Sequence, residues 1–221
     1  MIKGCIFDLD GTLADTVESI ANAVNQAIVS EGFEERPVEK FNFFAGDGMN
    51  KAVERALLDA GDVRLEHLDA AIKKAREIFG KNPLYHVKPY DGMVETLERF
   101  RKSGIKIAVL SNKPHLQAVE VVQAVFGKDC FDQIQGQEEG VPKKPDPAGA
   151  FRIAQCWGVL PKECLYVGDT NTDMKTAIAA GMPKVGVTWG FRPRSELIEN
   201  GADFLADRPQ DLLKIQEEIN D

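Results

Sequence analysis

The sequence predicts an α/β fold, a Rossmann-like parallel sheet core carrying an inserted all-helical domain, and three features lead to it. From residue 88 onward, short β-branched or aliphatic runs alternate with helical patterns, as the strands of a parallel sheet alternate with their crossover helices. One more strand pattern, at 4–8, stands alone at the start of the chain. Between the two lie about seventy residues whose periodicity is helical throughout.

The elements follow in order. After the first strand, Val17, Ile20, Val24, Ala27 and Ile28 fall at helical spacing, as do Met49, Val53 and Leu57, and then Leu65, Leu68, Ile72 and Phe79. Gly32, Pro37, Gly61 and Pro83 fall where turns and helix ends are needed. Amphipathic helices in this number close a small bundle, so 15–85 is expected to form a helical cap domain on an α/β catalytic core of 1–14 and 86–221. Two connectors, near 13–16 and 83–90, would let the cap close over the core and open again. Beyond them, helical patterns at 91–103, 115–126, 147–157, 172–180, 194–200 and 209–219 alternate with strand patterns at 105–110, 131–134, 164–167, 184–188 and 203–205.

A length of 221 residues is enough for one sizeable core with a modest insertion. The net charge of −8 and the scattering of lysines and arginines among acids disfavour nucleic acid as a partner. A small anionic ligand, which a few local donors can hold, is not disfavoured in this way. Cys5, Cys130, Cys156 and Cys164 show no metal or redox spacing and read as reduced core thiols of a cytoplasmic protein. The apolar run at 2–7 is too short for a secretory signal, and no stretch of eighteen apolar residues offers a membrane span. A monomer or homodimer with no membrane partner is expected.

Chemistry concentrates at the ends of predicted strands, where open parallel sheets bind ligands. The first strand ends in Asp8-Leu9-Asp10-Gly11-Thr12, and strand alternation would point both aspartates into one small space. Two such charges need a cation or a shared proton. The strand at 164–167 ends similarly, in Gly168-Asp169-Thr170-Asn171-Thr172-Asp173, leading into a helix. Together these acids supply the oxygen-rich shell that Mg2+ prefers, with Asp173 either a direct ligand or acting through water. Ser111-Asn112-Lys113-Pro114 offers a hydroxyl and backbone N–H groups at a helix start, an anion site. Lys143-Lys144-Pro145-Asp146-Pro147 offers a proline-stiffened lysine as counter-charge.

In these residues the chain resembles the haloacid dehalogenase superfamily of aspartate-nucleophile phosphatases along its whole length. Four short motifs occur in order: Asp8-Leu9-Asp10-Gly11-Thr12, Ser111-Asn112, Lys144-Pro145, and Gly168-Asp169 with Asp173. Within the superfamily it is most similar to phosphoglycolate phosphatases, through 111–114, 143–147 and Gly186-Val187-Thr188-Trp189-Gly190. The resemblance implies that Asp8 attacks phosphorus and becomes an aspartyl phosphate. Asp10 would protonate the leaving group and then activate water, its backbone carbonyl helping to hold Mg2+. Asp8 and Asp169 would bind the metal directly, with Asp173 in or just behind that shell. Ser111, the N–H of Asn112 and Lys144 would bind the phosphoryl oxygens. The Lys-Pro pairing favours Lys144 over Lys143. The Thr12 hydroxyl would either help to position the phosphoryl site or cap the next segment.

Substrate choice would fall to the cap. Gly46-Asp47-Gly48, just before a cap helix, resembles the substrate-contacting loop of such caps, although Asp47 would repel a carboxylate if it pointed inward. Lys51 and Arg55 could orient a bisphosphate in a sugar phosphomutase, so a mutase, a pyrophosphatase or a nucleotidase stands as the alternative. A non-catalytic phosphate-binding module is a third reading, disfavoured because Asp8 and Asp10 are both present. His67, His86 and His115 lack metal-ligand spacing and read as surface or hinge residues.

Overall fold

The computed structural model describes residues 1–220; Asp221, the last position of the expected core, lies outside them. Six parallel strands form the main sheet: β1 (Gly4–Phe7), β4 (Lys106–Pro114), β5 (Gln133–Gln137), β6 (Cys164–Gly168), β7 (Lys184–Val187) and β8 (Phe204–Ala206). Their order is β5-β4-β1-β6-β7-β8. The chain builds outward from β1 through β4 to β5, then returns to the other side of β1 for β6. That reversal places a topological switch point at the carboxyl ends of β1, β4 and β6, where a crevice opens.

Period-two alternation sorts the strands onto two faces. Cys5, Phe7, Ile107, Val109, Leu165 and Val167 enter one apolar cluster with Leu97, Phe100 and Leu212. Ile6, Ala108, Leu110 and Tyr166 enter another with Ile153 and Ala177. The first face is covered by α5 (Met93–Lys102), α6 (His115–Phe126) and α10 (Asp211–Asn220), the second by α7 (Ala148–Trp157) and α8 (Asn171–Ala180). A short α9 (Arg194–Glu199) precedes β8.

The segment after β1 is helical: α1 (Val17–Ser30), a 3-10 turn at Val38–Lys40, α2 (Phe41–Phe44), α3 (Met49–Asp59) and α4 (Leu68–Lys81). It packs around its own apolar cluster, including Val24, Ile28, Phe41, Val53, Leu57 and Phe79. Where the chain leaves and re-enters the sheet layer, β2 (Ala14–Asp15) pairs antiparallel with β3 (Lys88–Pro89). This two-strand ribbon has no apolar run and is too short to leave a periodic trace in the sequence.

Two strands depart from the sequence expectation. The strand expected at 131–134 instead occupies Gln133–Gln137, a polar run at the sheet edge that is strand only because β4 pairs with it. The strand expected to stop at residue 110 continues as β4 to Pro114, with a register break after Leu110. Ser111 and Asn112 therefore lie on a bulged strand end, and α6 starts only at His115. Of the cysteines, Cys5 and Cys164 are buried, but Cys156 is exposed, so not all four are core thiols.

Candidate active site

The candidate site is built on four strand ends. Asp8 directly follows β1, is buried, and its carboxylate oxygen lies 2.8 Å from the Lys144 ammonium. The same ammonium lies 2.8 Å from Asp173. One carboxylate oxygen each from Asp8, Asp169 and Asp173 can be chosen so that all lie within 4.8 Å of one another. Asp169 follows β6, and its two oxygens accept hydrogen bonds from the Thr12 hydroxyl at 2.7 Å and the Phe191 N–H at 2.7 Å. Asp173 closes a capping box on α8, accepting from the Thr170 N–H at 3.1 Å and the Thr170 hydroxyl at 2.6 Å. Glycine at 168 leaves room for this arrangement, since a Cβ there would collide with the Asp173 side chain.

Asp10 behaves differently from its neighbour. Strand geometry ends at Phe7, so the alternation that would aim Asp8 and Asp10 together does not reach residue 10. Gly11, at φ +86°, turns the chain, and the Asp10 carboxylate pairs with Lys113, outside the three-carboxylate cluster. The Asp10 carboxylate is thus not among the three that converge. Thr12 is fully buried, and its hydroxyl donates to Asp169 at 2.7 Å.

Ser111 is buried, and its oxygen accepts from the Lys113 N–H at 3.1 Å, leaving the hydroxyl proton available. The Asn112 side chain accepts from the Lys144 N–H at 2.9 Å and donates to the Lys144 carbonyl at 3.2 Å. That double contact fixes the loop that delivers Lys144.

Electrostatics define what the cluster needs. Burial, then the Asp173 charge, pushes the Asp8 carboxyl well above the usual aspartate range despite the opposing pull of Lys144. Burial and the Asp173 charge push Asp169 up to about 7, against hydrogen bonds from Phe191 and Thr12. Burial alone would depress Lys144, but the charges of Asp173 and Asp8 overcome it and hold the ammonium well above the usual lysine value. Three buried carboxylates have one ammonium among them, in contact with Asp8 and Asp173, so negative charge remains in excess. An all-oxygen donor set of this kind fits a hard divalent cation.

A stability test follows from the sign of these shifts. A carboxyl with a folded-state pKa raised above its unfolded value of about 3.9 stabilises the fold fully below that value. The contribution is lost as pH rises through the folded value, about 7 for Asp169. Metal-free protein is therefore expected to lose this contribution between about pH 4 and about pH 8, and Mg2+ to compensate by screening the ionised cluster. Thermal melts with and without Mg2+ should show a larger gain in Tm at about pH 8 than at about pH 5.5. Equal gains would separate the cation from this cluster.

In front of Asp8 lies a cavity of about 640 Å3, bordered on the sheet side by Asp8, Asp10, Ser111, Asn112 and Lys113. The helical side contributes Gly46, Asp47, Gly48, Met49 and Phe79, with Arg76 held by Asn50 at 2.9 Å. Asp47 lowers its own capacity to repel an anion: it pairs with Arg55 at 2.5 Å and accepts from the Thr172 hydroxyl at 2.6 Å. Burial would raise its pKa, but Thr172 and Arg55, with the Arg192 charge, bring it below the usual value.

Sequence reasoning missed three groups here. Lys113 is buried beside Asp10; the sequence named it only as a member of Ser111-Asn112-Lys113-Pro114, with no role of its own. Arg192 is buried and donates to the backbone carbonyls of Asn42 and, at 2.8 Å, Ala45, which leave no side-chain signature. Phe191 joins the apolar cluster of the helical segment while its N–H binds Asp169.

A switch-point crevice with a buried carboxylate cluster, a lysine among the carboxylates and a helical wall facing it is a site suited to a hard cation and a small anionic ligand. The family model for haloacid dehalogenase-like hydrolases matches residues 5–187, and the chain belongs to that family. It is 31% identical to the phosphoglycolate phosphatase of Aquifex aeolicus over 96% of this chain and 95% of that one. It is also 31% identical to that of Pectobacterium atrosepticum, over 97% and 92%. A crystal structure of a predicted phosphoglycolate phosphatase from Haemophilus somnus 129PT superposes with a TM-score of 0.89 at 26% identity, covering 97% of each chain. The chain is accordingly an enzyme, a phosphoric monoester hydrolase similar to phosphoglycolate phosphatases. No helix among the described residues is long and apolar enough to cross a membrane.

Proposed function

We propose that this enzyme hydrolyses small phosphate monoesters, 2-phosphoglycolate foremost, in a Mg2+-dependent reaction through an aspartyl phosphate on Asp8, and that it works in the cytoplasm. The observation that carries the reading is the placement of Asp8, on the cavity wall and at 2.8 Å from the buried Lys144 ammonium.

Asp8 attacks phosphorus, the ester P–O bond breaks, and the departing alkoxide takes a proton from Asp10. Asp10 then removes a proton from the water that attacks the phosphorus of the aspartyl phosphate, which releases phosphate and restores Asp8. Ser111, the Asn112 N–H and Lys144 hold the phosphoryl oxygens through this exchange. Asp8, Asp169 and the Asp10 carbonyl would hold Mg2+, with Asp173 ligating directly or through water. When bound, the cation offsets the charges of Asp8 and the phosphoryl oxygens.

The division into a core of 1–14 and 86–221 and a cap of 15–85 belongs to the same proposal. Cap contacts with the core through Arg192 and through Asp47 with Thr172 support closure of the cap over bound ester. Besides Lys113, the cations bordering the cavity are Arg76 and Lys143, and these are the groups we assign to an anionic tail such as a carboxylate. The mutase alternative relied on Lys51 and Arg55. Lys51 pairs with Glu54 and Arg55 with Asp47, so neither is directed to a second phosphate.

Phosphate release from phosphoglycolate, sugar phosphates, nucleotides and pyrophosphate, with and without EDTA, tests the reading. Metal-dependent turnover highest on phosphoglycolate is expected. Absence of turnover on every ester would sink the proposal, and conversion of a hexose 1-phosphate to its 6-phosphate with little free phosphate would favour a mutase.

A further inference from the structure

We infer that Lys113 is a positioning residue that aims the Asp10 carboxylate, and that Phe79 of the helical segment sets Lys113 in turn. The inference rests on the proton-transfer role proposed for Asp10. Lys113 is a core residue of β4, its side chain only 4% exposed, and its ammonium forms an ion pair with Asp10. The same ammonium lies 4.9 Å from the centre of the Phe79 ring, which belongs to α4. A desolvated ammonium between a carboxylate and an aromatic face has two attractive partners, one on each side of the cavity. Both partners border that cavity, together with Lys113 itself.

Asp10 has particular need of such a guide. It follows the last residue of β1 by three positions, in a turn opened by Gly11, so the sheet ladder does not fix its side chain. Asp8 and Asp169, by contrast, each accept backbone N–H groups, from Leu9 at 2.6 Å and Phe191 at 2.7 Å. Lys113 takes the place of those amides for Asp10, and because Phe79 arrives from the helical segment, the aim of Asp10 depends on that segment being seated. A wandering segment would leave Lys113 without its ring contact and Asp10 less often in line for proton transfer.

Proton transfer has a kinetic signature that folding defects lack. An alkyl ester needs its leaving oxygen protonated, whereas the nitrophenolate of p-nitrophenyl phosphate departs without a proton. Hydrolysis of the aspartyl phosphate needs Asp10 with either ester. Loss of Asp10 function therefore slows the alkyl ester from the first step, but leaves a rapid burst of nitrophenolate followed by a slow steady state with the aryl ester.

The test compares Asp10→Asn, Lys113→Met, Lys113→Arg and Phe79→Leu by rapid-mixing kinetics on both esters. Asp10→Asn is expected to show the burst with a steady state slowed about a hundredfold or more. Lys113→Met should show the same burst with about tenfold to hundredfold slowing, Phe79→Leu a weaker version of it, and Lys113→Arg partial rescue. A Lys113→Met enzyme that raises KM with kcat unchanged would make Lys113 a substrate-binding residue and overturn the inference, as would equal slowing of burst and steady state. If Lys113→Met fails to fold, Phe79→Leu and Lys113→Arg decide, and absence of the burst in Phe79→Leu overturns the coupling to the helical segment. No burst in Asp10→Asn, by contrast, would remove the Asp10 role on which the inference rests.

Discussion

Asp8→Asn is expected to lower turnover by at least about three orders of magnitude while the protein stays folded. An amide carries no negative charge to form the bond to phosphorus, so the proposed route through a covalent intermediate closes. Folding should survive, because the amide oxygen can still accept the Leu9 N–H that now binds Asp8, and Lys144 keeps its 2.8 Å contact with Asp173. One charge also leaves a cluster that burial and mutual repulsion already strain. Metal-free Asp8→Asn should therefore melt no lower than the parent at about pH 8, and gain less from Mg2+. Phosphate release and calorimetry with and without Mg2+ check both halves. Turnover within about tenfold of the parent would remove Asp8 as nucleophile.

How far the sequence discloses such a site depends on how local each contact is. The alternation of strands and helices was legible from residue 88 onward because period-two and 3.6-residue patterns are properties of consecutive residues. The acids at the ends of β1 and β6 were legible for the same reason, since an apolar run that stops at Asp8 or Gly168-Asp169 marks a strand end directly. The orientation of Asp10 was not: it turns on where the ladder stops and on Lys113, which comes from a different strand. Strand β5 was displaced in the sequence reading because Gln-Ile-Gln-Gly-Gln owes its conformation to pairing with β4. Thr12 was left between two roles, and its 2.7 Å contact with Asp169, 157 positions away, has no local signature. Arg192 left no trace at all, since backbone carbonyls 42–45 have no residue-type signature.

The second large effect is expected from Lys144→Met, which removes the single ammonium shared by Asp8 and Asp173 at 2.8 Å each. Breaking one side of a buried ion pair costs about 3–5 kcal/mol, because the abandoned charges stay buried. For a chain of this length that corresponds to a fall in Tm on the order of 10 °C. The loss should depend on pH. Without the ammonium the carboxyl pKa values rise further, so the variant's folded state is favoured while the cluster is protonated and penalised as pH climbs through the raised values. Melts of parent and variant without metal should thus lie closer together at about pH 5 than at about pH 8. Added Mg2+ should recover part of the stability, since a divalent cation replaces some of the lost positive charge. Activity should not recover to match: in the proposed reaction a phosphoryl oxygen loses its fixed donor, a change that costs about a hundredfold to a thousandfold in kcat. A pH-independent gap in Tm would mean that Lys144 contributes packing alone, and retained activity would place phosphoryl binding on Ser111 and the Asn112 N–H without it.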